Sequence, residues 1–233
     1  MPCLGVFVTG TDTGVGKTRV AAALLANWRE AGVDAVPMKP VQTGCWRRGK
    51  ALVAPDLESC LAEAGLNPGI DERQDMAPYC FLPACSPHLA AAEAGETISI
   101  STIMAAFRRV CRRHEAVVVE GAGGIAVPLT LRRTMLDLMK ALGLPVVLTA
   151  RSSVGTLNPT LLSLAALRDA GVPVLGVVMN QSEPGRWGKV EEDNRRTIER
   201  MGKTPVLACI RHGETLVRMR SLMGPVIKAL VRV

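Results

Sequence analysis

Gly10-Thr11-Asp12-Thr13-Gly14-Val15-Gly16-Lys17-Thr18 follows the apolar run Leu4-Gly5-Val6-Phe7-Val8 near the start of a 233-residue chain. An apolar strand, a glycine-rich turn and a Lys-Thr pair opening an amphipathic helix form the layout of a phosphate-binding loop. Successive backbone N–H groups of such a loop, with the free N–H groups of the helix start, converge on one spot and attract anionic oxygens. Lys17 has the reach to meet terminal phosphates, and the Thr18 hydroxyl suits a magnesium ion that accompanies them. The usual pattern has four residues between its first glycine and Gly-Lys, whereas five separate Gly10 from Gly16. The competing reading is an ordinary glycine-rich turn between a strand and a helix.

Outward from the loop, Val20, Ala23, Leu24 and Trp28 recur at helical spacing from Lys17 to about Ala31, and Gly32 stops the helix. Ala35-Val36-Pro37-Met38 reads as a strand that delivers Lys39-Pro40-Val41-Gln42-Thr43-Gly44 to the same sheet edge as the loop. Ligands of parallel sheets bind at that edge. Lys39 is thus a candidate second phosphate contact, or simply an exposed strand-end lysine. Residues 45–55 read as a basic loop. Asp56 opens a helical stretch with Leu57, Leu61 and Ala64, where N-capping is the commoner role of aspartate. Asn67 to Pro87 reads as irregular. Ser86-Pro87-His88 starts a further helix, with His88 a helix-start hydrogen-bonding group or a general base.

The cleanest buried strand is Ala116-Val117-Val118-Val119-Glu120, fed by a helix over 101–113 and ending in Gly121-Ala122-Gly123-Gly124. A carboxylate at that tip, beside glycines that let backbone approach a ligand, suits a magnesium-associated acid; the alternative is an acidic turn residue. Strand Pro145 to Ala150 leads into a helix starting near Leu157. A second strand from Val174 ends at Asn180. A polar helix, Lys189 to Met201, then precedes a short strand, Pro205 to Ala208, and a C-terminal helix. Strands alternating with helices on short connections predict an α/β, doubly wound, mostly parallel sheet of the P-loop NTPase type, as one domain over residues 1–233.

Composition narrows the class. Apolar residues at 48% with 21% charged describe a packed globular chain, and 3% aromatics imply a core of Val, Leu, Ile, Ala and Met. The net charge of +7 suits an anionic ligand, although runs such as Arg108-Arg109 with Arg112-Arg113 read as solvated helix faces. One Tyr, three Phe and three Trp leave few groups to stack on single-stranded nucleic acid, so no nucleic-acid partner is expected. Seven cysteines without Cys-x-x-Cys spacing read as reduced thiols of a cytoplasmic protein. Neither a membrane-length apolar run nor a signal segment is visible, so no membrane partner is expected.

Taken together, these stretches resemble the dethiobiotin synthetases. The resemblance runs from Val8 to about Asn180 and is carried by Val8-Thr9-Gly10-Thr11-Asp12-Thr13, Val15-Gly16-Lys17-Thr18, Lys39-Pro40-Val41 with Thr43-Gly44, and Ser86-Pro87-His88. It continues through Val119-Glu120-Gly121-Ala122-Gly123-Gly124, Gly155-Thr156-Leu157-Asn158 and Asn180. The five-residue gap is that family's own form of the loop. The resemblance implies an ATP- and magnesium-dependent joining of 7,8-diaminononanoate and carbon dioxide into dethiobiotin, with ADP and phosphate released. An amine carbamate would attack the γ-phosphate, and the second amine would close the cyclic urea from the resulting carbamic–phosphoric anhydride.

By the same resemblance, Gly14, Val15, Gly16, Lys17, Thr18 and Arg19 would cradle the phosphates, with Lys17 and Lys39 stabilising developing charge. Thr18, Asp56 and Glu120 would hold magnesium and, with Gly121, Ala122 and Gly123, border the ATP. Thr43 and the Gly121–Gly124 turn would touch diamine and carbamate, and Asn180 would meet the base. The substrate carboxylate would sit at the helix start Gly155, Thr156, Asn158 of a partner subunit, which implies a homodimer with sites at its interface. Two departures stand out: Gly14 replaces a frequent glutamate, and Ile210 is followed by Arg211-His212-Gly213 where the family commonly has an Ile-Pro turn. Two other P-loop classes share parts of the pattern. Cobyrinate-type amide synthetases would share the loop and Glu120 but not the 39–44 stretch. ATP-switched positioning ATPases of the MinD and ParA type carry an extra early-loop lysine where this chain has Thr11, Asp12 and Thr13. Their basic membrane tail has a superficial counterpart in Leu216 to Arg232, which Gly224-Pro225 interrupts; a helix packed on the sheet is expected there.

Overall fold

The computed structural model describes residues 3–49 and 51–230. Strand β1 (Leu4–Gly10) alternates its side chains, so Val6 and Val8 enter one buried cluster and Phe7 the other. It hands over to α1 (Lys17–Glu30), which lays Val20, Leu24 and Trp28 on the Val6 face. The chain then runs through β2 (Ala35–Met38), β3 (Val41–Gln42), β4 (Trp46–Arg48), β5 (Ala51–Val53), α2 (Pro55–Glu63), α3 (Ile70–Met76) and β6 (Tyr79–Cys80). Helices α4 (Pro87–Glu93) and α5 (Ile100–Cys111) precede β7 (Ala116–Gly124), β8 (Pro128–Thr130), β9 (Arg133–Thr134) and α6 (Met135–Leu142). The remainder alternates: β10 (Val146–Arg151), α7 (Leu157–Asp169), β11 (Val174–Asn180), α8 (Lys189–Gly202), β12 (Val206–Ile210), α9 (Leu216–Leu222) and α10 (Gly224–Leu230).

The main sheet has six strands in the order β12-β11-β10-β1-β7-β2, and every pairing in it is parallel. From β1 the chain crosses outward to β2, and later it passes from β7 to β10 on the opposite side of β1. The strand order thus reverses around β1, and a crevice opens at the carboxyl ends of β1, β7 and β10. Helices cover both faces. Met219, Met223 and Val226 of the C-terminal region bury against the α1 side of the sheet. Ile103, Val110, Leu138 and Met139 surround Phe7 and Val119 on the other. Leu164 and Ile198, from α7 and α8, pack on Leu148 and Met179. This is the doubly wound, mostly parallel α/β fold expected from the strand–helix alternation.

Several local expectations are corrected. Residues 45–55 are not a plain loop: β4 and β5 pair antiparallel, with Trp46 opposite Val53 and Gly49 in the turn at φ +61°, while Lys50 lies outside the described residues. The stretch 67–87 is not irregular, because it holds α3 and β6. Asp75 of α3 is 7% exposed and anchored by Arg109 of α5 and Arg113 just beyond its end, a long-range contact that propensity cannot register. Asp56 is not an N-cap. Ala54 holds that position, and Asp56 lies inside the first turn of α2 with its carboxylate on Lys39. Strand β7 extends through the glycines to Gly124, and β8, β9 and α6 occupy a stretch for which no element was expected. The C-terminal region forms two helices broken at Met223, and Met219 packs on the sheet face as expected; Val231 and Arg232 lie outside the described residues.

Candidate active site

The loop after β1 takes its shape from its glycines. Gly16 is the N-cap of α1 at φ +99°, and a Cβ there would fall 2.2 Å from Nδ2 of Asn180, so no other residue fits without displacing that side chain. Gly10 lies under the loop, where a Cβ would stand 2.7 Å from Val15. No side chain caps α1 and no acidic residue occupies its first turn. Its leading N–H groups and the positive end of its dipole therefore face the crevice. The Lys17 ammonium donates to the Asp12 carbonyl at 2.8 Å, curled back on the loop it would leave to meet a phosphate. Burial, with the positive charge of Lys39 nearby, pulls the Lys17 pKa down to about 8.

Lys39 is the centre of the site and is not an exposed strand-end lysine: it is 4% exposed. Its ammonium donates to Oδ2 of Asp56 at 2.6 Å, to Oε1 of Glu120 at 2.7 Å and to the Gly121 carbonyl at 3.2 Å. The same Glu120 oxygen accepts from the Thr18 hydroxyl at 2.9 Å. Four elements meet here: the end of β2, the start of α2, the middle of β7 at Glu120 and the start of α1. Burial alone would depress the Lys39 pKa, but Glu120 and Asp56 outweigh it and hold the pKa above the ordinary lysine value. Burial pushes Asp56 the other way, yet the adjacent Lys39 ammonium keeps its carboxyl below the usual range. Lys39 is therefore a fixed cation, whereas Lys17 titrates.

A cavity of about 690 Å³ opens over this centre. Gly14, Gly16, Lys17, Thr18, Arg19, Lys39, Thr43, Asp56, Glu120, Ala122 and Gly123 line it. Other singled-out residues support it from beneath. The Val15 carbonyl accepts from Asn180 Nδ2 at 3.0 Å, and Gly124 packs against the Gly10 and Thr11 carbonyls at 3.3 Å from a built Cβ. Asn180 is 1% exposed, and its Oδ1 has no partner. Gly155, Thr156 and Asn158, at the start of α7, are not among the cavity's lining residues; the Thr156 hydroxyl donates to the Arg151 carbonyl at 2.6 Å. Ala84, Cys85 and Val127 line the cavity without having been singled out; only the Ser86-Pro87 helix start hinted that this stretch turns toward the sheet edge. His88 does not make the expected helix-start hydrogen bond: its Nδ1 is buried and unpartnered.

The donor chemistry fits magnesium. One hydroxyl and two carboxylates, all hard oxygen donors, converge beside the loop. Among the described residues no group of three or more His, Cys, Asp or Glu side chains forms a metal cage. Magnesium needs none, because it usually takes one or two carboxylates and completes its shell with phosphate oxygens and water.

A glycine-shaped anion cradle at the reversal of a parallel α/β sheet defines a P-loop nucleotide-binding domain. A family model described as an AAA domain matches residues 4–220. The ATP-dependent dethiobiotin synthetase of Anaeromyxobacter dehalogenans (strain 2CP-C) is 40% identical over 233 residues, covering 98% of this chain and 99% of that one. That of Anoxybacillus flavithermus (strain DSM 21510 / WK1) is 39% identical over 210 residues, covering 89% and 91%. The chain belongs to the dethiobiotin synthetase family. Among solved structures, a ParA family ATPase from Chlorobium tepidum TLS superposes with a TM-score of 0.55 at 11% identity, covering 99% of this chain and 97% of the other, a likeness of fold alone.

Proposed function

We propose that this chain makes dethiobiotin from 7,8-diaminononanoate, carbon dioxide and ATP, with magnesium, as a homodimeric cytoplasmic ligase. The observation that supports it most directly is the buried Lys39, held between Glu120 and Asp56 beside the phosphate cradle. A strand-end ammonium within the same cavity as Lys17 serves a reaction in which negative charge passes between two oxyanions, a carbamate and a phosphoryl group.

The loop N–H groups and Lys17 bind the triphosphate, and the ammonium groups of Lys17 and Lys39 draw carbamate and γ-phosphate together while neutralising their repulsion. An unperturbed alkylamine is mostly protonated near neutral pH and cannot attack carbon dioxide. Two lysine charges beside the diamine disfavour its ammonium form, so carbamylation proceeds without a dedicated strong base. The carbamate oxygen attacks the γ-phosphorus and ADP leaves; the second amine attacks the carbamoyl carbon, phosphate leaves and the ring closes. Thr43 and the Gly121–Gly124 turn hold the diamine end. Thr18, Asp56 and Glu120 would hold the magnesium, whose charge screens the phosphate oxygens.

The start of α7 stands outside this chain's own cavity and carries free N–H groups suited to a carboxylate. Beside it Val154 is 82% exposed, and Leu162 further along is 62% exposed, an apolar surface suited to a second copy. In this reading Gly155, Thr156 and Asn158 receive the substrate carboxylate bound in the partner's cavity. The test is incubation of the purified chain with diamine, bicarbonate, magnesium and each nucleoside triphosphate in turn, with mass detection of the cyclic urea. Phosphate release without that product would refute the assignment.

A further inference from the structure

Gln42 closes β3 opposite Cys80 of β6, is 5% exposed and lines the cavity. Its carboxamide is held at both ends. Nε2 donates to the Thr43 carbonyl at 2.9 Å, and Oε1 accepts from the Asp56 backbone N–H at 3.3 Å. The second bond meets a specific need. Helix α2 begins with Ala54 at the N-cap, which has no side-chain acceptor, and Pro55, which has no N–H. The Asp56 N–H is the first that the helix offers, and Gln42 caps it from another strand. The Gln42 backbone is equally fixed, its carbonyl accepting from the Phe81 N–H at 2.8 Å. A shorter asparagine lacks the reach, an aliphatic residue would strand the N–H, and a glutamate would set one carboxylate against another.

We propose that Gln42 is a positioning residue of the nucleotide–cation site: it locks the start of α2 so that the Asp56 carboxylate stays directed at Lys39 and at the cation accompanying the phosphates. It simultaneously orients the Thr43 carbonyl, so one carboxamide sets the relation between the cation side and the diamine side of the cavity. The proposal rests on the reading above that Asp56 belongs to the cation-holding set.

Calorimetric titration of the full chain with ATP alone and with magnesium–ATP tests it, using wild type, Gln42→Met and Gln42→Glu. Metal-free ATP binding should be unchanged in both variants. Magnesium–ATP affinity should fall by up to roughly tenfold in Gln42→Met, the upper end of the worth of one neutral hydrogen bond, and at least as far in Gln42→Glu. Adding Asp56→Asn to Gln42→Met should cost little beyond Asp56→Asn alone, because the two act through one carboxylate. Unchanged magnesium–ATP affinity in a folded Gln42→Met chain would overturn the proposal, as would additive losses. If Gln42→Met does not fold, Gln42→Glu decides: its carboxylate would stand against that of Asp56, so wild-type magnesium–ATP affinity in that variant would overturn the proposal. Equal affinity of the wild type for ATP with and without magnesium would overturn the underlying cation reading, and with it this one, before any variant is made.

Discussion

At the scale of single residues, the two lysines divide the work by their surroundings. Lys39 keeps its charge because two carboxylates flank it, and Lys17 has only loop carbonyls and distant acids to offset burial. Replacing Lys39 by alanine should lower dethiobiotin formation by about 10²–10³-fold, the usual cost of losing one preorganised charge stabiliser. It should also destabilise the fold by up to about 3–5 kcal/mol, because Glu120 and Asp56 are left facing each other without their cation. Denaturant unfolding and assay of the folded protein separate the two effects; wild-type turnover would remove Lys39 from the chemistry. Lys17 carries a pH prediction. With its pKa near 8, the free chain loses that proton above pH 8, whereas a bound triphosphate favours the ammonium. Nucleotide binding at pH 8.5 should therefore take up protons, and affinity should fall as pH rises further. Titrations in two buffers of different ionisation enthalpy measure this; zero uptake would contradict it. The same depression makes the ligand-free fold gain stability between pH 8 and the ordinary lysine range, since there the unfolded chain holds the extra proton.

At the scale of elements, the sequence was legible where the hydrophobic pattern was long and local. The runs that became β1, α1, β2, β7, β10 and β11 stand out because central parallel strands are apolar throughout and α1 keeps helical periodicity. The stretches that escaped notice are short: α3 is held by the distant Arg109 and Arg113 and β6 by the distant β3, while β4 and β5 form a local hairpin whose exposed Trp46–Arg48 strand carries no apolar alternation. Helix α6 had a usable signal in Thr134 and, three residues on, Asp137, whose carboxylate accepts from the Thr134 N–H at 2.7 Å in a capping box. That bond, with a Thr134 hydroxyl bond and Arg133 nearby, holds the Asp137 carboxyl below its usual range. Its contribution is thus fully present above the unfolded aspartate pKa and lost as pH falls through the lower, folded one. Asp137→Ala should cost about 0.5–2 kcal/mol at neutral pH, the low end being expected for a partly exposed group. Denaturant midpoints at pH 7 and in acid check this; the gap between variant and wild type should close as Asp137 protonates.

At the scale of the whole molecule, the candidate site splits into a part gathered within one chain and a part left outside it. The loop, Lys39 and Glu120 converge because the strand order reverses around β1, which the strand–helix alternation anticipates, whereas Asp56 joins them from α2, a place that only the family resemblance implied. The start of α7 was marked by its resemblance to a known motif, but nothing in one chain's pattern reveals which copy's cavity it serves. A mixed-dimer experiment answers this. Lys39→Ala lacks the cavity's fixed cation but keeps α7 intact; Asn158→Trp alters an exposed position at the start of α7 but keeps Lys39. If each site joins one chain's cavity to its partner's α7, a hybrid dimer restores one complete site, combining the cavity of one parent with the helix of the other. Random exchange of equal amounts should then recover about a quarter of wild-type turnover from two nearly inactive parents, half the dimers being hybrid with one intact site each. If the α7 start serves its own chain's cavity, every hybrid site carries one defect and mixing restores nothing. Measuring turnover against mixing ratio, with the oligomeric state followed by sedimentation, separates the two arrangements.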